Sequence, residues 1–526
     1  MSEAIHDVAI IGCGPVGGTL AGLLGRRGVE VVVVERFEQP FGLPRAVRFD
    51  HEAMRLWQEL GFAEALLADL LSASRYDWYG ADGELAVSFA TPDYGPSGWR
   101  FAYSFFQPEL EESLDAAIQA LRSVQLRRGL TLTGLTQRDD HVELDLHPTA
   151  QPPATPGPCL KLRARYVVGA DGARSTVRDA LGVSWEDLGF SERWFVVDVR
   201  PQADVLGRFD GFPTQRCDPR RPYVMTSAGR RHRRWEFMLL PGERPEDFAE
   251  SERAWGFLRP WLAPGEATIV RQAVYEFGSK VASTMQVGRC FLAGDAAHLM
   301  PPHMGEGMCS GVRDASNLAW KLDLALQGLG DERLLASYTT ERLPHATALV
   351  EQSRRMGAVS CELDPVAASA RDAELRASGG VAPWPFPSLG PGFVYEGPGG
   401  IAELAGTLAV QGNVEVDGRV GRFDDVVGRG FVVIAATESP EELLADAELM
   451  ALERLGACIV AVGEGPGRLR DTDGRLTAWL GQHGVAAIVI RPDYYVFGAV
   501  GTAAALAGLV NDLLARTALV QQAQCS

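Results

Sequence analysis

The chain has no CxxC pair and no cysteine–histidine spacing of the kind that binds zinc, although it contains eight cysteines in 526 residues. Cysteines scattered in this way build neither a disulfide scaffold nor a tetrahedral ligand set for a structural metal. We therefore expect no bound metal and a reducing compartment, the cytoplasm.

Basic residues are also scarce, since 50 Lys and Arg stand against 68 Asp and Glu and give a formal net charge of −18. Nucleic acids and anionic membrane surfaces both favour clustered positive charge, so neither is expected as a partner. The apolar run near the N-terminus is too short to cross a membrane and lacks the basic segment of a signal peptide. The remaining composition is that of a globular protein with roughly three to four domain-sized units.

A glycine-rich loop, GCGPVG at 12–17, follows the β-branched run Val8 to Ile11 and precedes a helix-like stretch. The first glycine of this pattern allows a tight turn, the second lets a pyrophosphate approach the backbone, and the third lets the helix pack on the strand. A second run, Val31 to Val34, leads to Glu35, where an acidic residue accepts a hydrogen bond from a ribose hydroxyl. The segment predicts a βαβ unit that binds FAD or NAD.

Another glycine-rich stretch, GEGPG at 463–467, has Arg468 in place of the third glycine. We interpret it as a surface turn. The sequence therefore predicts one dinucleotide site, to which a nicotinamide cofactor would be admitted only transiently.

The segment 289–314, RCFLAGDAAHLMPPHMGEGMCSGVRD, has the pattern of a strand, a loop and a helix. Its apolar run Cys290 to Ala293 precedes a glycine, and Met308 to Ala325 has helix-like spacing. Backbone N–H groups at 305–308 would then lie at a helix N-terminus, which favours a negatively charged or electron-rich ligand. Asp295, at the end of the strand, is placed to accept from a ribityl or ribose hydroxyl.

Together with YVVGADGARSTVR at 166–178, these two motifs resemble the FAD-dependent aromatic hydroxylases, the single-component group whose flavin domain is like that of p-hydroxybenzoate hydroxylase. LPRAVRFDHEAMR at 43–55 and RRWEFMLLPGE at 233–243 are more similar to the 3-(3-hydroxyphenyl)propionate hydroxylase and polyketide hydroxylase type. The resemblance covers nearly the whole chain. It is specific for the cofactor and the reaction class but not for the substrate.

The resemblance implies an α/β fold with a doubly wound FAD-binding sheet, an inserted antiparallel substrate sheet and a C-terminal thioredoxin-like domain. Alternating, aromatic-rich runs support the inserted sheet. The predicted units are an FAD-binding domain in two parts at 1–182, with a substrate-domain excursion near 75–103, and at 281–400, a substrate-binding sheet at 183–280, and a thioredoxin-like domain at 401–526. A solvated loop is expected at 151–158, and a Pro- and Gly-rich stretch at 381–400 is expected to separate the last unit from the rest.

The last unit has one cysteine before the tail, Cys458, and no CxxC, so a dithiol redox role is not expected. Packing or contacts within a homodimer are the roles we expect for it.

The resemblance also assigns FAD contacts residue by residue. Arg36 would lie over the adenine, which also meets the backbone at Leu132, while Arg45 would approach the flavin or pyrophosphate. Gln107 and Asp295 would bond the ribityl chain. The residues implied to contact FAD are Gly12, Gly14, Pro15, Val16, Gly17, Glu35, Arg36, Arg45, Gln107, Leu132, Asp171, Asp295, Pro302, Gly305, Glu306, Gly307 and Met308.

Candidate substrate residues come from the inserted sheet and from the loop at 302–308, and they are Tyr223, Trp235, Phe237, Met238 and His303. A period of two puts Trp235 and Phe237 on one face of a strand and Glu236 and Met238 on the other. The sequence leaves open which face meets the ligand.

Three residues depart from the pattern of the family, namely His303, Glu306 and Cys309. Glu306 is electrostatically unusual beside a flavin edge that becomes anionic, so it either points away or tunes the flavin by its protonation. Because of these departures, the resemblance predicts the cofactor more specifically than it predicts the substrate.

In this family NAD(P)H reduces the flavin, and a flavin C4a-hydroperoxide transfers oxygen from O2 to an electron-rich ring, so no catalytic side chain is assigned. We predict an FAD monooxygenase, dependent on NADPH or NADH, that hydroxylates a phenolic or other electron-rich aromatic compound. Two alternatives stay open. One is a tailoring oxygenase acting on a larger polycyclic, polyketide-like substrate by hydroxylation, epoxidation or Baeyer–Villiger insertion, and the other is a non-oxygenating flavin-binding redox module.

Overall fold

The computed structural model describes residues 5–149, 159–209, 213–379, 386–436 and 439–517; the loop expected at 151–158 and the first part of the stretch at 381–400 lie outside them. The strands are, in chain order, β1 Ile5–Ile11, β2 Val31–Glu35, β3 Arg48–Asp50, β4 Leu71–Ser72, β5 Arg75–Tyr79, β6 Leu85–Ala90, β7 Ala102–Ser104, β8 Val124–Arg128, β9 Leu130–Gln137, β10 Val142–Pro148, β11 Leu160–Gly169, β12 Trp185–Pro201, β13 Thr214–Arg216, β14 Tyr223–Ala228, β15 His232–Met238, β16 Ala267–Ala282, β17 Gln286–Val287, β18 Cys290–Leu292, β19 His298–Leu299, β20 Asn413–Val416, β21 Arg419–Arg422, β22 Val432–Ala435, β23 Cys458–Ala461, β24 Arg470–Asp471, β25 Ala487–Ile490 and β26 Val496–Val500.

The α-helices are α1 Pro15–Arg26, α2 His51–Leu60, α3 Ala63–Leu66, α4 Gln107–Gln119, α5 Thr176–Ala180, α6 Ala203–Leu206, α7 Ser251–Leu258, α8 Gly307–Leu326, α9 Glu332–Ser360, α10 Pro365–Ala377, α11 Phe423–Val426, α12 Asp446–Arg454, α13 Arg475–Gln482 and α14 Leu506–Ala515. The elements form a mixed α/β structure with several sheets, as predicted. In the described part of the chain, no helix is both long and apolar enough to span a membrane.

The first sheet contains the two strands around the N-terminal glycine loop, in the order β17-β18-β11-β1-β2-β8, with β10 and β9 folding back antiparallel from β11. β1 is paired in parallel with both β2 and β11. β2 is buried along its whole length, as expected for a parallel strand covered on both faces. The carboxyl ends of β1, β2, β11 and β18 therefore meet at one edge, where open α/β sheets bind their ligands.

The second sheet also has eight strands, in the order β19-β16-β12-β15-β14-β13-β5-β6. β5 and β6 come from the stretch near 75–103, and only the β13–β5 pair is parallel. An aromatic cluster that includes Phe195, Phe237 and Phe257 packs one face against α7. The opposite face contacts the first unit, because the Arg234 guanidinium donates to the carbonyl oxygen of Pro44 (3.2 Å).

The C-terminal unit has a four-stranded sheet, β23-β22-β25-β26, in which only the β22–β23 pair is parallel. It is joined to the first unit through buried ion pairs. Arg55 of α2 makes a bidentate pair with Asp424 (2.6 and 2.7 Å), and Arg491 pairs with Glu341 of α9 (2.8 Å) and with Asp493 (2.6 Å). These contacts hold the C-terminal unit against α2, α8 and α9.

The replacement Arg491→Met tests this attachment, since it leaves Glu341 and Asp493 buried without their main cation. Breaking a buried ion pair costs about 3–5 kcal/mol, whereas an exposed one contributes up to about 1 kcal/mol. We expect a large fall in the urea midpoint of unfolding for Arg491→Met and little change for the control Arg333→Met, whose side chain is 69% exposed and pairs with Asp331. Equal midpoints for the two variants would contradict the attachment.

Candidate cofactor and substrate site

The glycine loop between β1 and α1 has room for a ligand at one position only. A Cβ on Gly12, which has φ +102°, would lie 2.4 Å from the carbonyl oxygen of Ala170, and one on Gly17 would lie 2.0 Å from that of Gly12. A Cβ on Gly14 would meet nothing closer than Arg45 Nη2 at 3.9 Å. The backbone at Gly14 is thus open beside the N-terminus of α1, where Pro15 and Val16 begin the helix, and this surface fits a pyrophosphate.

Glu35 braces this loop. Its carboxylate accepts hydrogen bonds from the backbone N–H of Cys13 (2.7 Å) and of Phe37 (2.9 Å), which leaves further lone pairs for a ribose hydroxyl. Arg36 is exposed and lies over the Phe37 ring, 4.9 Å from its centroid. Leu132 on β9 is buried in the core of the first sheet.

Gln107 is committed to contacts within the protein. Its Oε1 accepts from the backbone N–H groups of Arg45 (3.1 Å) and Ala46 (2.7 Å), and its Nε2 donates to Glu111 (2.6 Å). The Arg45 guanidinium pairs with the same Glu111 (2.7 Å). Gln107 therefore positions Arg45 beside Gly14, a function that the sequence pattern did not indicate.

Asp171 lies next to the glycine loop but uses its oxygens for the turn into α5. It accepts from Ser175 Oγ (2.5 Å) and from the backbone N–H groups of Thr176 (2.7 Å) and Val177 (3.2 Å). The neighbouring Ala170, not the Asp171 side chain, touches Gly12. The structure thus places the predicted residue at the site with its carboxylate directed into the α5 turn.

Asp295, unlike Asp171, has a carboxylate that is free to accept from a ligand. Its side chain is exposed to the cleft, and within the described part of the chain its carboxylate accepts no hydrogen bond. The surrounding protein nevertheless desolvates the group, and this raises the pKa of its carboxyl group. An accessible acceptor deep in the molecule fits the hydroxyls of a polyol chain, which is the role that the sequence predicts.

The loop after β19 presents the N-terminus of α8 to the same cleft. Pro302 begins a 3-10 turn, and Gly305 is in the left-handed region with φ +67°. Gly307 and Met308 then start α8, and Glu306, at the N-cap position, makes no side-chain capping bond. The first N–H groups of the helix are therefore available to an electron-rich ligand edge.

Glu306 points away from these N–H groups. Its carboxylate bonds to the guanidinium groups of Arg48 (2.7 Å) and Arg313 (3.1 Å), and Arg48 also donates to the carbonyl oxygen of Met304 (2.8 Å). Burial, with a smaller contribution from nearby Asp50, raises the pKa of Glu306 to about 7. The Glu306 side chain therefore points away from the start of α8. Because its pKa is about 7, its carboxyl group can also gain or lose a proton near neutral pH.

Arg313 extends this cluster. It forms an ion pair with Asp50, the N-cap of α2, and donates to Glu52 (2.7 Å), which in turn accepts from the Tyr495 hydroxyl of the C-terminal unit (2.8 Å). We define Arg48, Asp50, Glu52, Glu306, Arg313 and Tyr495 as the loop cluster. Sequence reasoning missed all of these partners except Glu306, because the cluster joins three segments, near residues 50, 310 and 495, that are far apart in the chain.

The predicted substrate residues fall into two groups. Tyr223, Trp235 and Phe237 pack in the outer aromatic cluster under α7, and the structure does not bring them together with the loop at 302–308. Met238 lies on the other face, beside Trp194. We call this second face of the sheet the inward face.

His303 lies against the inward face. Its ring is edge-on to Trp194 and to Phe190, with centroids 5.9 Å apart in each case. Burial lowers the pKa of His303 to about 4, so its imidazole is neutral.

Cys309 is buried near Asp50, and burial raises the pKa of its thiol. The GEGPG stretch at 463–467 forms a largely exposed turn between β23 and β24, far along the chain from these groups.

Two family models match the chain. The model of the FAD binding domain covers residues 6–353, and that of the HcaD C-terminal domain covers residues 406–516.

Curated relatives match over almost their whole length. A probable NADH-specific resorcinol 4-hydroxylase from Rhodococcus jostii is 37% identical over 98% of this chain and 96% of its own. A 3-(3-hydroxy-phenyl)propionate/3-hydroxycinnamic acid hydroxylase from Burkholderia cenocepacia is 35% identical over 96% of this chain and 95% of its own.

Solved structures show the same fold. The flavin-dependent monooxygenase PieE, solved with FAD and substrate, covers 98% of this chain and 100% of its own with a TM-score of 0.78 at 22% identity. Aklavinone-11 hydroxylase, solved with FAD and aklavinone, gives the same coverage with a TM-score of 0.76 at 25% identity.

The open backbone at Gly14 leads to the first prediction of this site. In Gly14→Val the side chain enters open space, so the fold should persist, but it occupies the surface that fits the pyrophosphate. We expect FAD affinity to fall by about tenfold or more, which corresponds to about 1.4 kcal/mol, as measured by the ratio of flavin to protein absorbance after dialysis. The control Gly256→Val, also in open space, should keep its flavin.

Glu306 leads to the second prediction. Its folded-state pKa of about 7 lies above the ordinary value of 4.5, so the folded state holds the proton more tightly. The stability contributed in this way is present at low pH and is lost as pH rises from about 4.5 through about 7, by roughly 3 kcal/mol at most. We expect the difference in free energy of unfolding between the wild type and Glu306→Gln to fall across this range in urea titrations. A pH-independent difference would show the shift to be absent.

Proposed function

Since this chain belongs to the FAD-dependent aromatic hydroxylases that join an FAD-binding domain to an HcaD C-terminal domain, we propose that it is an NADH-dependent monooxygenase that hydroxylates a phenolic ring. The family match confirms the predicted enzyme class and the FAD cofactor. The choice of NADH and of a monocyclic phenol follows from the relatives, one of which is named as an NADH-specific resorcinol hydroxylase.

One observation supports the proposal most strongly. The open backbone at Gly14, the accessible carboxylate of Asp295 and the uncapped N-terminus of α8 all lie at the edge where β1, β11 and β18 end. They fit, in order, a pyrophosphate, a polyol chain and an electron-rich ring edge. A dinucleotide with a ribityl chain and a redox-active ring presents these three groups in the same order.

When bound, FAD supplies the redox chemistry, since it accepts a hydride from the nicotinamide and activates O2 for transfer of one oxygen atom to the ring. The residues of this chain bind and orient the reactants. N–H groups at the start of α8 suit a group that gains negative charge during the reaction, and Arg45 suits the pyrophosphate. The inward face of the second sheet, with Trp194 and Met238, closes the far side of the cleft and excludes water.

We also propose that the C-terminal unit is thioredoxin-like. The order β23-β22-β25-β26, with a parallel pair joined through α12 and two antiparallel steps after α13, supports this architecture. Cys458 is half-buried, and its thiol donates to the carbonyl oxygen of Val427 (3.4 Å). This arrangement supports a packing function, and the homodimer stays a prediction.

The activity is tested with purified, FAD-loaded protein. We expect resorcinol and related phenols to accelerate NADH oxidation and to take up one labelled oxygen atom from O2, detected by mass spectrometry of the product. Larger polycyclic phenols in the same panel test the tailoring-oxygenase alternative. If no aromatic compound stimulates NADH oxidation, or if stimulated oxidation yields no labelled product, the proposed hydroxylation is wrong.

A further inference from the structure

The loop cluster contains two carboxyl groups, those of Asp50 and Glu306, that lie side by side. An oxygen of one lies within 4.8 Å of an oxygen of the other, and both side chains are at most 3% exposed. Two buried acids this close to each other do not readily ionise together, so the pair holds one proton more tightly than either acid would alone. The other charged groups of the cluster are Glu52, Arg48 and Arg313.

The contacts of the pair decide which of the two acids holds this proton. Asp50 is the N-cap of α2, and its Oδ1 accepts from the backbone N–H groups of Glu52 (3.1 Å) and Ala53 (2.9 Å). Although burial opposes its ionisation, the Arg313 guanidinium and these bonds lower the pKa of Asp50. Glu306 makes no capping bond, and burial, together with nearby Asp50, raises its pKa to about 7. Glu306 is therefore the acid of the pair that gains and loses the proton.

The surroundings of Glu306 make its protonation sensitive to added charge. Arg48 donates to one of its oxygens (2.7 Å) and Arg313 to the other (3.1 Å). The Cys309 thiol and the Tyr495 hydroxyl of the cluster are uncharged, because burial raises the pKa of each. With Glu306 ionised, three negative charges face two positive charges, and with Glu306 protonated the charges balance.

Glu306 also directly precedes α8, whose first N–H groups face the cleft. Because only two methylene groups join its carboxylate to the backbone, the carboxylate stays close to those N–H groups even though it points away from them. Charges about 10 Å apart in a medium with an effective dielectric constant of about 20 change a pKa by about one. A negative charge that develops on a ligand at the start of α8 therefore favours the protonated form of Glu306.

We infer that Glu306 takes up a proton when the bound flavin ring is reduced, so that the loop cluster offsets the negative charge that reduction brings to the start of α8. Hydride transfer from NADH gives the ring two electrons and one proton and leaves NAD+, so the ring gains one negative charge and takes no proton from solvent. The proton of Glu306 comes from solvent and returns to it when the ring is oxidised again. This inference rests on the proposed function and adds a proton-accepting residue to it.

The test counts the protons taken up during anaerobic reduction of the FAD-loaded protein by NADH, with a pH-indicator dye in weakly buffered solution at about pH 7.5. A rise of the Glu306 pKa by about one, from about 7, takes up about half a proton per flavin at this pH. We expect this uptake in the wild type and its loss in Glu306→Gln. Glu306→Asp, which restores a carboxyl group, should recover part of it.

The matched control is Glu374→Gln, on the exposed surface of α10, which should take up as many protons as the wild type. If the wild type and Glu306→Gln take up equal numbers of protons, or if Glu374→Gln lowers the uptake as much as Glu306→Gln does, the inference is overturned. A wild-type uptake that does not change between about pH 6 and pH 9 overturns it without any variant, because a group exchanges protons only near its own pKa.

Light-driven reduction of the bound flavin separates this inference from the proposed function. The difference between the wild type and Glu306→Gln does not depend on the reductant, since protons released or consumed by the reductant cancel. If light but not NADH reduces the flavin and the difference of about half a proton is present, the use of NADH is wrong and the role of Glu306 is supported. If NADH reduces the flavin and the difference is absent, only the inference about Glu306 fails.

Discussion

The buried guanidinium of Arg313 holds together three parts of the molecule that the cofactor site requires. Its carboxylate partners come from the end of β3, from α2 and from the loop before α8, and its own side chain is 2% exposed. With Arg48, two cations face three acids, so the loop cluster is electrically balanced only when one acid carries a proton. The raised pKa of Glu306 identifies the acid that does so. A carboxyl group whose pKa is about 7 therefore lies within the loop at 302–308.

The C-terminal unit contributes to the loop cluster by hydrogen bonding to α2, which requires no redox chemistry. The Tyr495 hydroxyl donates to Glu52, which also accepts from Arg313. The Tyr494 hydroxyl donates to Glu59, which lies on α2 like Glu52 (2.6 Å). Because Glu52 lies in the first turn of α2 and Glu59 in its last, the C-terminal unit contacts both ends of this helix. The C-terminal unit, which lacks a CxxC dithiol, thus helps to position the residues that hold the loop at 302–308.

The cofactor end of the cleft was predictable because it is encoded locally. A glycine that must lack a Cβ, an acid at the end of a strand and a proline at the start of a helix are visible within a few residues. The directions of Glu306 and Gln107 were not, because they depend on Arg48 and on the backbone at 45–46, which distant segments supply. The sequence held a weaker signal for which face of β15 packs in the outer cluster. This signal is the group of aromatic residues Trp255, Phe257 and Trp261 that follow the strand. They pack with Trp235 and Phe237, so the alternate residues Glu236 and Met238 lie on the inward face.

The two ends of the cleft also differ in how freely they can change. FAD is expected to contact mainly backbone, at the open position of Gly14, which is flanked by two glycines where an added Cβ would collide with the carbonyl oxygens of Ala170 or Gly12. The inward face of the second sheet consists of side chains that alternate along strands, and replacing one of them removes no backbone hydrogen bond of the sheet. Relatives about one-third identical can therefore keep one scaffold and one cofactor while their names record different phenols. Substrate identity can then change through a few inward side chains, while the backbone that fits the cofactor stays the same.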